Sequence, residues 1–259
     1  MTLSVIVIAK NEADVIRRCL DSVAWADERI LLDSGSTDGT PDLARGCGAR
    51  VETTTDWPGF GPQKNRALAL VTGDWVLSLD ADEWVTPELR AEIERAVQTT
   101  APAAWRMPRS SSYCGRFMRH SGWWPDYVVR LFRRGAARFS DDLVHERLVV
   151  EGATGTLGAP LMHEAIRDLA DARAKMESYS TVSAEMLHQR GVRASHVTAV
   201  LHGAWTFVRT YVLRAGFLDG REGLLLAVTN AGGTYYRYVK LTRLWEKQRG
   251  EDSGLRTKR

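Results

Sequence analysis

Leu3-Ser4-Val5-Ile6-Val7-Ile8-Ala9 is a nearly unbroken apolar run, short and rich in β-branched residues. That pattern predicts a strand buried on both faces. Over 14–23 the apolar positions Val15, Ile16, Cys19, Leu20 and Val23 fall at helical spacing. Residues 29–33 predict a second strand, which runs into the turn-rich Ser34-Gly35-Ser36-Thr37-Asp38-Gly39. Thr40-Pro41 then carries a helix start, with Thr as N-cap and Pro at the first helical position. A strand over 50–54, a helix over 62–71 and a strand over 75–79 follow, and Thr86-Pro87-Glu88 repeats the start signal for a helix to residue 98. This alternation predicts an α/β fold with a mostly parallel sheet and helices on both faces. Ligands of such sheets sit beyond the carboxyl ends of the strands, here 8–12, 33–35 and 80–83.

Beyond Pro102 the pattern changes to short strands over 104–107, 127–132 and 148–150. From Ile166 it is helical, with interruptions near Gly191 and over 216–223. The expected division is a first domain over 1–165 and a helical region over 166–259.

The 259 residues are 44% hydrophobic and 26% charged, ordinary globular proportions that exclude disordered and low-complexity classes. Cys19, Cys47 and Cys114 have no ligand spacing, so neither a disulfide framework nor a zinc site is expected, and a reducing cytoplasm fits. No signal peptide is expected from the first residues. The longest charge-free stretch of the second half, 194–208, has 15 residues and two histidines, too short and polar to span a bilayer. The net charge of +3 is uneven: residues 167–259 hold 16 Lys and Arg against 9 Asp and Glu. That basic third calls for an anionic partner: nucleic acid, acidic lipid or a phosphorylated substrate. Nucleic acid is the weakest of these, because no RNA-binding motif accompanies the charge.

Leu77-Ser78-Leu79-Asp80-Ala81-Asp82-Glu83 carries an apolar run straight into clustered carboxylates. Such hard oxygen ligands suit Mg²⁺ or Mn²⁺ shared with substrate phosphates. An isolated Asp-Xaa-Asp is more often a solvated loop capping the next helix. Here it is the last of an ordered series, after Ser4–Glu12, Leu32–Thr40 and Gln63-Lys64-Asn65-Arg66-Ala67.

Taken together these segments resemble family 2 glycosyltransferases, inverting enzymes of the GT-A fold that use nucleotide sugars; the resemblance covers residues 2–165. It implies that Ile8, Lys10, Glu12, Asp33 and Ser34 hold nucleobase and ribose. It places Lys64 near the diphosphate and gives the Asp80-Ala81-Asp82 turn the ribose and the metal. Many members have Asp-Asp-Gly-Ser where this chain has Asp33-Ser34-Gly35-Ser36, so a uracil contact of the second Asp must be made otherwise.

The stretch Trp124–Glu146 resembles a subgroup with a Val-His-Glu segment, Val144-His145-Glu146, in place of the usual acidic base. Inverting transfer needs one carboxylate to accept the acceptor hydroxyl's proton. Glu146 is the expected base, with Asp142 and Asp126 in reserve and a surface salt bridge as the plain alternative for Glu146. His163 either completes the metal site or is a structural histidine. Trp123 and Trp124 are either a sugar-stacking wall or core, and Arg130, Arg133 and Arg134 face a phosphorylated acceptor or solvent.

The stretch Tyr211–Gly223, with Lys175 and Tyr179, extends the resemblance to lipopolysaccharide core β-1,4-glucosyltransferases. These move glucose from UDP-glucose to an inner-core heptose at the cytoplasmic face of the bacterial inner membrane. The resemblance implies a lipopolysaccharide acceptor and peripheral contact with that anionic surface. The apolar stripe Val197, Val200, Leu201, Ala204, Trp205, Val208, Val212 and Ala215 fits an interfacial helix or a helix packed on the protein.

Overall fold

A computed structural model of the chain describes residues 1–140 and 147–256, with side chains as far as 249. It divides into two compact units, Met1–Ser110 with Pro125–Glu164 and Ser111–Trp124 with Ala165–Arg259.

The first unit is built on β1 (Leu3–Ala9), β2 (Glu28–Asp33), β3 (Arg50–Thr53) and β4 (Trp75–Asp80). They pair in parallel in the order β3-β2-β1-β4. Each is followed by a helix or a tight return: α1 (Ile16–Ser22), α2 (Thr40–Gly46), α3 (Phe60–Leu68), β5 (Glu83–Val85) and α4 (Pro87–Ala96). The apolar run of β1 behaves as its composition requires, since all seven residues are buried. Its alternation sends Leu3, Val5 and Val7 to one core with Ile16 and Leu20 of α1 and Leu89 and Ile93 of α4. Ile6 and Ile8 go to the other, with Ala67 of α3.

Beyond β4 the sheet is extended by β6 (Ala104–Tyr113), β7 (Arg116–Phe117) and β8 (Asp126–Arg133), all paired antiparallel. β9 (Ala137–Phe139) and β10 (Leu148–Val150) form a separate antiparallel pair, β11 (Thr154–Thr156) joins β6 in parallel, and β12 (Leu161–Ile166) pairs antiparallel with β5. The order continues β4-β8-β6-β12-β5. β6 is ten residues long where the pattern predicts four, because Pro108 and a run of serines conceal a strand held by pairing.

The second unit holds α5 (Leu169–Gln189), α6 (His196–Phe207), a π-helical turn over Val208–Leu213, a 3-10 turn over Gly216–Asp219 and α7 (Gly220–Arg256). The single helix expected from the stripe Val197 to Ala215 therefore changes from α to π geometry at Val208 and ends at Leu213. Close backbone approach explains Gly223: a Cβ there would lie 1.9 Å from the Gly216 carbonyl oxygen. Asp219, whose sequence neighbourhood carries no obvious chemistry, is buried and accepts hydrogen bonds from the backbone N–H of Arg119 and His120, each at 3.0 Å. It thereby ties residues 119–121 to the start of α7. Truncation leaves buried donors unmatched, so Asp219→Ala is expected to lower the stability of the protein by about 1–3 kcal/mol in urea unfolding. A midpoint equal to that of the wild type would contradict this role.

Candidate active site

The carboxyl ends of β1, β2 and β4 bring the predicted segments together. The loops after β1 and β2 brace each other. Asn11, at φ 58°, donates its backbone N–H to Ser36 Oγ (2.8 Å) and accepts from Thr37 N–H at its Oδ1 (2.8 Å). Thr40 Oγ1 accepts from Glu12 N–H (2.9 Å), and Asp38 Oδ2 accepts from Ala13 N–H (3.0 Å). The Thr40 hydroxyl holds the Asp38 carboxyl below its ordinary range. Gly35 and Gly39 supply the left-handed φ of 79° and 82° that this loop needs.

Asp33 is buried, and its carboxylate accepts from the N–H groups of Gly35 and Ser36, each at 3.0 Å to Oδ2. Ser34 Oγ receives a hydrogen bond from Gln63 Nε2 (3.0 Å), which also reaches Thr54 Oγ1 (2.6 Å). Ile8 and Ala81 have their side chains in the core, so only their backbone faces the strand ends. Lys10 is exposed beside them, and Glu12 is half-buried.

Asp80 is the centre of an ion network. Lys64 donates to its Oδ1 at 2.9 Å and Arg130 to its Oδ2. Arg130 also donates to Glu83 Oε1 (2.6 Å), and Glu83 Oε2 accepts the Asp80 N–H at 3.0 Å. Arg109 extends the network to Asp126, with its Nε and Nη2 on Oδ2 at 3.0 and 2.6 Å. Glu83 is 0% exposed. Burial opposes the charge on Asp80, but Arg130 and Lys64 outweigh it and hold the carboxyl well below the usual carboxylate range. Burial likewise opposes the charge on Arg130, and Asp80 and Glu83 reverse that. Arg130 is thus taken up by Asp80 and Glu83 and largely withdrawn from solvent. Arg133 donates to the Thr99 carbonyl and lies over the Trp75 ring.

Asp82 stands apart from this network. Its Oδ2 lies 3.4 Å from His163 Nε2, and its carbonyl accepts from Glu164 N–H. His163 sits within β12, paired with Glu83 of β5, which aims it at the turn after β4. A carboxylate oxygen and an imidazole nitrogen converging at a strand end suit a divalent cation whose other positions are filled by phosphate. Asp80 has both oxygens engaged by cations, so the donor set that fits an ion is Asp82 with His163. Among the described residues no cluster of three His, Cys, Asp or Glu side chains is arranged to hold an ion.

Of the three candidate bases, Asp126 is bound by Arg109, and Asp142 and Glu146 lie outside the described residues. Ser140 and Arg147 pair through Ser140 N–H to the Arg147 carbonyl (2.9 Å) and Arg147 N–H to Ser140 Oγ (3.0 Å). The preceding Phe139 is bracketed by Asn65 of α3, and its ring lies 5.5 Å from Lys64 Nζ. In the second unit, Trp123 packs edge-on against Tyr113 at 5.9 Å and helps line a cavity of about 270 Å³ with Lys175 and Arg237. Sequence reading did not single out Asn11, Asp38, Gln63 or Arg109; the short reach between two strand-end loops was the available signal for the first two.

Breaking a buried ion pair by removing one partner costs about 3–5 kcal/mol, so Arg130→Met is expected to destabilise the protein by that order at neutral pH. The sign with pH follows from Asp80. A carboxyl held low in the folded state stabilises it fully above the ordinary carboxylate pKa, and that stability is lost as pH falls towards the lower folded value. Removing Arg130 removes part of this term, so the gap between wild type and variant should narrow below about pH 4. Urea unfolding from pH 7 to pH 3 measures it, and a gap that widens in acid would contradict it.

Three comparisons bear on identity. The model of glycosyl transferase family 2 matches residues 4–147. The chain is 29% identical to an uncharacterized glycosyltransferase of Rickettsia bellii (strain RML369-C) over 260 residues, 93% of this chain and 86% of that protein. It is 27% identical to the lipopolysaccharide core biosynthesis glycosyltransferase LpsC of Rhizobium meliloti (strain 1021), over 95% of this chain and 93% of that one. Among solved structures, the mannosyltransferase PcManGT from Pyrobaculum calidifontis, in complex with GDP-Man and Mn²⁺, superposes with a TM-score of 0.53 at 17% identity, covering 95% and 87% of the two chains. A mostly parallel sheet with flanking helices, carrying three of the ordered segments at its strand ends and the fourth on α3, is the GT-A arrangement, and the chain belongs to glycosyl transferase family 2.

Proposed function

We propose that the protein transfers glucose from UDP-glucose, with inversion, onto an inner-core heptose of lipopolysaccharide at the cytoplasmic face of the inner membrane. The observation that carries the donor half is the placement of Asp82 and His163 beside the Asp80 network. The similarity to LpsC along nearly the whole chain supports the acceptor half. The cavity in the second unit adds to it: Lys175 and Arg237 on its wall suit a phosphorylated saccharide, and Arg237 Nε is buried there without a hydrogen-bond partner among the described residues.

In this reading Asp33 shapes the loop that receives the nucleoside, and Lys10, Glu12 and Ser34 line its edge. Lys64 and Arg130 keep Asp80 ionised, so it acts purely as an acceptor for a ribose hydroxyl. Asp82 and His163 would hold Mg²⁺ or Mn²⁺, which when bound supplies charge neutralisation for the departing diphosphate. The acceptor oxygen attacks the anomeric carbon from the opposite face and gives its proton to a carboxylate. With Asp126 engaged by Arg109, Glu146 is the base in this proposal. Phe139, seven residues before it, is held by Asn65 of α3, the helix that carries Lys64.

A thermal-shift series with UDP-glucose, other UDP-sugars and GDP-mannose, each with and without Mn²⁺, tests the donor by mass action. The largest stabilisation is expected with UDP-glucose plus Mn²⁺; a preference for GDP-mannose would overturn the donor assignment. Asp82→Ala should unfold as cooperatively as the wild type yet lose both transfer and the metal dependence of UDP binding. Full activity of this variant in EDTA would refute the metal role. Glu146→Gln should bind UDP-glucose normally and lose about 10²–10⁴-fold in transfer rate. If it transfers at the wild-type rate while Asp126→Asn is inactive, the base is Asp126.

A further inference from the structure

α6 is turned inside out relative to a helix of a water-soluble core. Its small residues Ala199 and Gly203 are the buried ones. A Cβ on Gly203 would meet the Ala231 carbonyl oxygen and Tyr235 Cβ of α7, each at 3.3 Å, and Thr206 donates to Thr234 Oγ1 at 3.2 Å. The large apolar residues point the other way: Val197 is 67% exposed, Leu201 63% and Trp205 56%, one above the next at i, i+4 and i+8. Val200 joins them, and the exposed surface continues through Val208, Val212 and Leu213 of the π turn to Phe217 and Leu218. Lone exposed apolar residues need no explanation, but a contiguous set of this kind marks an interaction surface.

The charge around it selects the partner. No Asp or Glu occurs between Glu185 and Asp219, whereas Arg190, Arg193, Arg209 and Arg214 do, all exposed. Asp219 itself is buried and engaged with residues 119–121. A second copy is a poor occupant, since an isologous contact would set these arginines against their own equivalents without any acid. At about 1.5 Å per residue the 12 residues of α6 cannot cross a hydrocarbon core of about 30 Å. Among the described residues no helix is long and apolar enough to do so.

We propose that α6 and the two turns after it are an in-plane membrane-docking face. Leu201, Trp205, Leu213 and Phe217 enter the interface between headgroups and acyl chains, and Arg209 and its neighbours meet anionic headgroups. This moves the lipid contact away from the basic residues of α7. Lys240 there is taken up by α5, donating to Glu177 Oε1 (2.6 Å), Ser180 Oγ (2.8 Å) and Thr181 Oγ1 (2.8 Å). The proposal deepens the membrane part of the functional reading, but it stands on exposure and charge alone.

Flotation of the full chain with phosphatidylglycerol-containing vesicles and with pure phosphatidylcholine vesicles tests it without any sugar donor. The wild type should bind the anionic vesicles, and Leu201→Ser/Trp205→Ser should bind at least about tenfold more weakly. Arg209→Glu should weaken binding to anionic vesicles alone, the more so at low salt. All three side chains are exposed, so each variant should keep the wild-type thermal midpoint. Three results would overturn the proposal: a wild type that binds neither vesicle, a double variant that binds as the wild type, or a wild-type dimer in sedimentation that the double variant abolishes. None of these would touch the glycosyltransferase reading, which nucleotide-sugar binding tests separately.

Discussion

A carboxylate at the end of a strand whose preceding five residues are all buried has to be matched by cations, or it will not stay charged. Asp80 is in that position, and its partners come from separate elements: Lys64 from α3 and Arg130 from β8. Arg130 then binds Glu83 of β5, and Arg109 of β6 links Glu83 to Asp126. Among the described residues the network joins three cations to three anions. Satisfying it requires the parallel half of the sheet, its antiparallel extension and the α3 helix to be in register together. These strand ends are therefore held together by electrostatics as much as by packing. Neutrality of the network also matters for binding, because a nucleoside diphosphate then brings its own charge and needs a counter-charge from outside. Asp82 and His163 provide a place for one.

Much of this was legible along the chain. The continuous apolar run of β1, the Thr86-Pro87 helix start and the apolar-to-acidic switch at Asp80 each reflect a local constraint and appear at the expected place. At Thr40-Pro41 the cap is instead Gly39 and Thr40 is already helical, its hydroxyl being taken by Glu12 and Asp38. What stayed hidden depends on residues far apart in sequence. Arg130 looks like one of a surface group of arginines until β8 pairs with β4 and turns it under Asp80. Asn11 and Asp38 are ordinary turn residues until the two loops meet. β6 was read too short because its serines and proline have low strand propensity, and pairing with β8 overrides that. Periodicity placed the apolar stripe of α6 correctly but cannot say which face a helix shows to the protein; the small residues Ala199 and Gly203 decided that.

The second unit follows another logic. Asp219, Gly216 and Gly223 form a close-packed corner whose function is positional, which is why the Phe217-Leu218-Asp219-Gly220 stretch shows no chemistry of its own. The corner closes the exposed turns after α6 at their far end, and it holds residues 119–121, which lead into Trp123 on the cavity wall. One buried carboxylate thus organises both features of the unit that have the character of a binding surface.

The proposed site divides labour between neighbouring aspartates, with Asp80 as the neutralised hub and Asp82, together with His163, as the pair that would bind the metal. Anomalous diffraction at the manganese edge, from crystals grown with UDP and Mn²⁺, tests it most directly. One peak is expected within bonding distance of an Asp82 oxygen and His163 Nε2, with Lys64 and Arg130 still on Asp80. A manganese ion bound by Asp80, with Lys64 or Arg130 displaced from it, would contradict the account.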